Sequence, residues 1–136
     1  MSAFFYIQSL LNDLVVTVEG FRCDGDLRLY PAYGGANQLW KWGANNSLVS
    51  KMGLFADYYY HDPLVRFICF ASTPTASTEK QSWQYANNLM KNNGKDSGYM
   101  TVDKTAIVAS YPYLAELSGE LNQKWILMPE EKLGHL

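Results

Sequence analysis

The tripeptide Gln-x-Trp occurs three times in this chain, as QLW at 38–40, QSW at 81–83 and QKW at 123–125. The copies return at intervals of about 42 residues, so three units of that length account for the sequence. The flanks repeat as well. KWGANNSLVSKMGLFAD follows the first copy and QYANNLMKNNGKDSGYMTVD the second. Both run from an aromatic residue through Ala-Asn-Asn to an apolar pair, a lysine, a glycine and a second apolar run. Ahead of the first copy stands LRLYPAYGGANQLW, and ahead of the third IVASYPYLAELSGELNQKW. Each contains a Tyr-Pro with a second tyrosine close behind, then Asn-Gln-x-Trp. The N-terminal YIQSLLNDLVVTVEG fits the segment that elsewhere follows the Asn-Asn turn. The chain is a threefold internal repeat.

Each unit reads as about four short strands. YIQSL, LVVTV, LRLY and QLWKW are rich in β-branched and aromatic residues, several with period-two alternation. Turn-formers separate them at Asn12-Asp13, Cys23-Asp24-Gly25-Asp26, Gly34-Gly35 and Asn45-Asn46. The second unit supplies SLVSK, LFADYYY, VRFICF and SWQY. The third supplies LMK, YMTVD, AIVASY and KWILM. About twelve strands in three units predict an all-β fold, a β-trefoil with pseudo-threefold symmetry. A propeller needs roughly four or more blades. STEKQSWQYANNLMK can be forced into a helix, but its Gln-x-Trp matches two strand-like copies. The expected organisation is a single domain over 1–136, with repeats at about 3–46, 47–88 and 89–136.

Three Gln-x-Trp motifs in repeats of this length resemble the ricin B-chain (R-type) lectin family, from Phe5 to about Leu133. The likeness extends to compact single-domain invertebrate lectins such as those of bivalve molluscs. It implies a β-trefoil whose Trp40, Trp83 and Trp125 converge in a shared core. Gln38, Gln81 and Gln123 would then satisfy buried backbone groups. Trp42 is not repeated, since Tyr85 and Leu127 take its place, and it reads as a strand residue at the barrel edge. The resemblance also implies sugar binding, with galactose- or N-acetylgalactosamine-terminated glycans as partners.

A hexose needs an aromatic platform for its C–H face and carboxylate and amide partners for its hydroxyls. In the family these are an Asp from the second strand, an aromatic after the third, and an Asn directly before the Gln. In the first repeat Tyr30 or Tyr33 can be the platform and Asn37 the amide, next to Gln38. The carboxylate position holds Thr17, for which Glu19, Asp24 or Asp26 could compensate. The second repeat has Asp57 as carboxylate and Phe70 as aromatic, but Lys80 replaces the amide before Gln81. The third offers Asp103, displaced from the strict alignment, with Tyr111 or Tyr113 to stack. Asn122 stands before Gln123 and Glu120 lies two residues earlier, making this the best-populated candidate. The same tyrosines and asparagines also fit strand-end and turn positions.

Composition narrows the partners. Charged residues are 18 % and the net charge is −2, which favours neither nucleic acid nor an anionic membrane. Aromatics reach 15 %, with 10 Tyr and 4 Trp, which suits a bulky β core and a polar-ligand surface. No segment is apolar for long enough to cross a bilayer, and MSAFFYIQSLLNDLVV lacks a basic n-region. The expectation is cytoplasmic synthesis, with non-classical release left open. Cys23 and Cys69 have no metal-ligand spacing and read as free thiols, with one disulfide as the alternative.

No cofactor or metal is implied. His61-Asp62 in YYYHDP is the one acid–base suggestion, but strand neighbours face opposite ways and Asp62-Pro63 is a turn signature. His135 sits near the C-terminus. Asn45-Asn46-Ser47 matches a glycosylation sequon, though its turn role suffices. The expected function is a non-enzymatic lectin that cross-links cell-surface glycans through several sites or a homodimer. A β-trefoil protein-binding module, inhibitor- or cytokine-like, is the alternative.

Overall fold

The computed structural model describes residues 3–20, 25–64, 66–74, 79–95 and 98–133. Cys23, Asp24 and His135, named above, lie outside them. The described residues form twelve strands: β1 (Phe5–Ser9), β2 (Val15–Glu19), β3 (Gly25–Tyr30), β4 (Trp40–Trp42), β5 (Leu48–Ser50), β6 (Phe55–His61), β7 (Arg66–Ser72), β8 (Trp83–Ala86), β9 (Leu89–Asn92), β10 (Tyr99–Thr101), β11 (Tyr113–Ala115) and β12 (Trp125–Pro129). A single α-turn, α1 (Glu130–Leu133), follows. Four strands per repeat make a β-trefoil.

Six strands close a ring. β4 pairs with β5, β8 with β9, and β12 with β1, all antiparallel. These hairpins are joined by Phe5 opposite Trp40, by a bridge between Ser47 and Ser82, and by the Trp125 amide donating to the Asn88 carbonyl at 2.8 Å. The first two hairpins turn on the Asn-Asn pairs. Asn45 and Asn46 have φ of 57° and 59°, and Asn87 and Asn88 of 54° and 65°. Two successive left-handed residues are what a tight hairpin matched to strand twist requires, and asparagine accepts them best after glycine. In the third hairpin the N-terminal segment takes the place of a strand after an Asn-Asn turn, as its sequence suggests.

The other strands form one hairpin per repeat, β2–β3, β6–β7 and β10–β11. These outer hairpins meet, since β7 also pairs with β3 and with β11. The ring is filled by Trp40, Trp83 and Trp125, all fully buried, with Ile7, Leu27, Leu48, Met90 and Met100 around them. Burying three indoles is stabilising only if their N–H groups find acceptors, and each finds one in its own repeat. Trp40 donates to the Val16 carbonyl at 3.2 Å, Trp83 to Ala56 at 3.1 Å and Trp125 to Met100 at 2.8 Å.

Two sequence expectations change. The glutamines do not sit on strands: each closes a 3-10 turn, Ala36–Gln38, Glu79–Gln81 or Leu121–Gln123, just before the tryptophan strand. AIVASY is not a strand either. β11 starts later, at Tyr113, and the Ile107–Ser110 segment turns back through Ala109, whose φ is 73°. Its backbone serves β3 instead: Leu29 N–H donates to Ser110 at 2.8 Å and Ala109 N–H to Leu29 at 2.7 Å. β-branched residues form a strand only where a partner edge is offered, and here Ile107 and Val108 are left exposed.

Candidate functional site

A common inner frame underlies every repeat, with one side chain exchanged in the second. The Gln38 carboxamide donates to Thr17 Oγ1 at 3.2 Å and to the Pro31 carbonyl at 2.9 Å. Gln81 donates to Asp57 Oδ2 at 3.1 Å and to the Thr73 carbonyl at 2.9 Å. Gln123 donates to Thr101 Oγ1 at 3.1 Å and to the Glu116 carbonyl at 2.6 Å. Gln38 Oε1 accepts the Tyr33 amide at 2.8 Å, and Gln123 Oε1 the Ser118 amide at 2.7 Å. A buried carboxamide offers two donors and one oxygen. In Gln38 and Gln123 all of them are committed to the frame.

These contacts fix which residues correspond. Thr17, Asp57 and Thr101 occupy one position, and their cross-strand partners are Arg28, Phe70 and Tyr113. The carboxylate position of the third repeat is therefore Thr101. Asp103 lies two residues further on, where the first repeat has Glu19. The tyrosines shift too. Tyr33 corresponds to Ser118 through the glutamine bond, and Tyr30 to Ala115 through the register of β10 and β11. The two Tyr-Pro segments look alike in sequence but sit at different places in the fold.

The first repeat forms an open depression of about 250 Å³ between the end of β2 and the loop after β3. Thr17, Glu19, Tyr30, Tyr33 and Asn37 all line it, so five side chains named from sequence meet here. Tyr33 is 64 % exposed, presenting its ring to solvent. Its hydroxyl donates to Asn37 Oδ1 at 2.9 Å, and Asn37 Nδ2 donates to the Val18 carbonyl at 3.2 Å. The Tyr30 hydroxyl donates to Glu19, and that bond to a carboxylate raises the phenol's pKa above its ordinary value. Thr17 is buried and donates to the Val15 carbonyl at 3.0 Å, so Glu19 is the carboxylate the depression presents. Asp26 points elsewhere, to a separate cavity.

The third repeat keeps the amide and changes the rim. Asn122 Nδ2 donates to the Val102 carbonyl at 2.9 Å, matching Asn37 on Val18. Its buried Oδ1 has no partner. The candidate carboxylate is occupied: Arg66, at the start of β7, donates to Asp103 Oδ1 at 3.1 Å and to the Tyr111 hydroxyl at 3.2 Å. The Arg66 guanidinium also stacks 4.0 Å from the centre of the Tyr113 ring, whose hydroxyl donates to Asp103 at 3.2 Å. Burial, and then the Asp103 charge, raise the Tyr113 pKa. Glu120 is exposed and paired with Lys104 at 2.9 Å. Asp103, Tyr111 and Tyr113 do come together, around an arginine and away from the position of the first-repeat platform.

The second repeat has the expected carboxylate, but it serves the frame. Asp57 is buried, with Oδ2 accepting from Gln81 and Oδ1 from the Tyr58 amide at 2.7 Å. Phe70 stands opposite Asp57 on β7, and its ring meets Tyr59 edge-on at 5.3 Å. Lys80 lies over the Tyr58 ring at 4.8 Å. Cys69 is buried in the core, where desolvation pushes its thiol well above the usual range. His61 ends β6, and Asp62 opens a 3-10 turn, Asp62–Leu64.

Arg66 is the residue sequence reasoning missed. It belongs to the second repeat and acts on the third, and a repeat alignment carries no information about contacts between units. Among the described residues no group of three or more His, Cys, Asp or Glu is placed to hold a metal.

The sequence matches no family model and no curated protein. Solved structures similar to it include the C-half of an earthworm R-type lectin in complex with GalNAc, at 19 % identity and TM-score 0.77, covering 93 % of this chain and 98 % of that one. A designed 3-fold symmetric protein, ThreeFoil, matches at 17 % identity and TM-score 0.78, covering 94 % and 99 %. The β-trefoil lectin of the Vibrio vulnificus hemolysin/cytolysin, with N-acetyl-D-lactosamine bound, matches at 17 % identity and TM-score 0.67, covering 93 % of each chain. At these identities the likeness is one of fold, and that fold is the β-trefoil.

Proposed function

We propose that this chain is a lectin, a binding protein without catalytic activity, and that the first-repeat depression is its principal sugar site. The observation that carries this is the meeting of an exposed aromatic ring, a carboxylate and an amide in one open cleft: Tyr33, Glu19 and Asn37. A hexose would lay its C–H face on Tyr33, set adjacent hydroxyls on Glu19, and donate or accept at Asn37. Terminal galactose or N-acetylgalactosamine is the ligand class, supported by the resemblance in sequence and by similar folds seen with GalNAc and N-acetyl-D-lactosamine. The third repeat, where Asn122 holds the place of Asn37, is a weaker second site. Cross-linking of glycans then requires that site or a homodimer.

A glycan array carrying galactose-, N-acetylgalactosamine- and sialic-acid-terminated chains, competed with free galactose, tests this. Selective, competable binding is expected. The alternative, a β-trefoil that binds a protein, is favoured by Asp57 and Asp103, whose carboxylates are already engaged within the chain. Array signals at background together with tight binding to a protein would select it.

A further inference from the structure

The three outer hairpins meet around a cavity that belongs to no single repeat. It has a volume of about 160 Å³, with Asp26 and Arg28 of β3, Tyr59 and His61 of β6, and Tyr111 of the third repeat on its walls. Leu27, Ile68 and Cys69 also line it. A second depression of about 290 Å³ shares Asp26 and Tyr59 with it and runs to Phe70. Together they form a groove along the seam between β3 and the β6–β7 hairpin. Its size suits one small ligand with a neighbouring group in the outer part.

Two buried polar atoms mark the same place. Arg28 Nε and His61 Nδ1 are shielded from water and have no hydrogen-bond partner, and both residues line the inner cavity. Buried polar groups without partners are rare, because each has given up its water and received nothing in return. Both atoms are closed to water, so an outside ligand meets these residues through their other atoms, on a wall whose polar groups the fold leaves incompletely paired.

Charge selects the kind of partner. The two described arginines flank Tyr111, Arg28 with its guanidinium 5.9 Å from the ring centre and Arg66 bonded to the hydroxyl. Each already faces an acid: Arg28 lies 3.5 Å from Asp26, and Arg66 3.1 Å from Asp103. The paired charges leave no surplus to draw in an anion. What the groove offers is a carboxylate with free lone pairs, a guanidinium donor, an imidazole and half-exposed tyrosine rings. Those are the requirements of a neutral polyhydroxylated ring.

We propose that the seam is a second ligand site, taking one neutral saccharide residue in a groove built by all three repeats. It shares with the proposed function only the class of ligand, and none of its residues lines the first-repeat depression. Asp26 accepts from two neighbouring hydroxyls, the Arg28 guanidinium donates to the ring oxygen, His61 meets a further hydroxyl, and Tyr59 covers the apolar face.

The test is an NMR titration of the intact chain with methyl glycosides of galactose, N-acetylgalactosamine, glucose and mannose, and separately with acetate and sulfate. The expected result is saturable shifts at Asp26, Tyr59, His61 and Tyr111 with at least one glycoside. They should persist in Asn37→Ala and weaken by about tenfold or more in Asp26→Asn, whose exposed site tolerates the change. Tyr59→Ala should weaken them similarly. Shifts confined to Tyr33 and Asn37 would overturn this inference and leave the first-repeat reading intact. Shifts at the seam alone would uphold it and sink that reading. Seam shifts with acetate or sulfate but no glycoside would overturn the neutral assignment, and no shift with any probe would overturn both.

Discussion

The first and third repeats carry the same frame with different rims. In both, a buried glutamine clamps a buried threonine, an indole reaches the second strand, and an asparagine donates to the next carbonyl, of Val18 or Val102. Outside that frame they part. Glu19 faces an open depression beside Tyr33, whereas its counterpart Asp103 is held by Arg66 and Tyr113. Ser118 stands where Tyr33 stands. Three copies of one architecture therefore do not provide three copies of one site, because the frame repeats while the rim around it does not.

The shared frame can be broken first, and the effect should be the largest. Trp40→Ala and Trp125→Ala should each lose about 3–5 kcal/mol of stability in denaturant titrations, in similar measure. Clearly unequal losses would show that the two frames are not equivalent. Gln38→Ala and Gln123→Ala should cost less, about 1–3 kcal/mol each, through backbone and hydroxyl groups left unsatisfied.

The rims should then respond differently. Tyr33→Ala should weaken glycan binding by about tenfold or more by calorimetry, while Ser118→Ala leaves it unchanged. Arg66→Ala should cost stability of only about 0–1 kcal/mol, since its partner Asp103 is half exposed. It frees Asp103 and Tyr113, so the number of sugars bound per chain should stay the same or rise. A loss of binding in this variant would place the sugar site in the third repeat.

The smallest effect is a titration. Tyr30 has a raised phenol pKa in the folded chain because of its bond to Glu19. Its contribution to stability is therefore complete below the ordinary tyrosine range and lost as pH climbs through the raised value. Glu19→Gln should return Tyr30 toward ordinary behaviour in an ultraviolet titration. Tyr113, raised chiefly by burial and then by Asp103, should barely change in that variant.

The fold was legible because its determinants are local and repeated. Asn45-Asn46 and Asn87-Asn88 announce hairpins through their backbone preference, and Gln-x-Trp marks each return to the ring. Thr17 and Asp57 were legible as one position because both strands begin a similar distance from their turns. The third repeat was misread where likeness was superficial. Tyr111 and Tyr113 were matched to Tyr30 and Tyr33, yet the chain between β10 and β11 leaves the repeat pattern to pair with Leu29. That partner lies some eighty positions away in sequence, and no local pattern carries it. Arg66 was invisible for the same reason: its targets belong to another repeat.

If sugar binding resides in the first-repeat depression, Asn37→Ala and Asn122→Ala should separate sharply. Each deletes the same frame bond, to Val18 or to Val102, and Asn37→Ala also releases the Tyr33 hydroxyl. Their glycan affinities, measured by calorimetry with the best array ligand, should differ. Asn37→Ala should lose most of the binding and Asn122→Ala should keep most of it. The reverse order would contradict that placement and move the site to the third repeat.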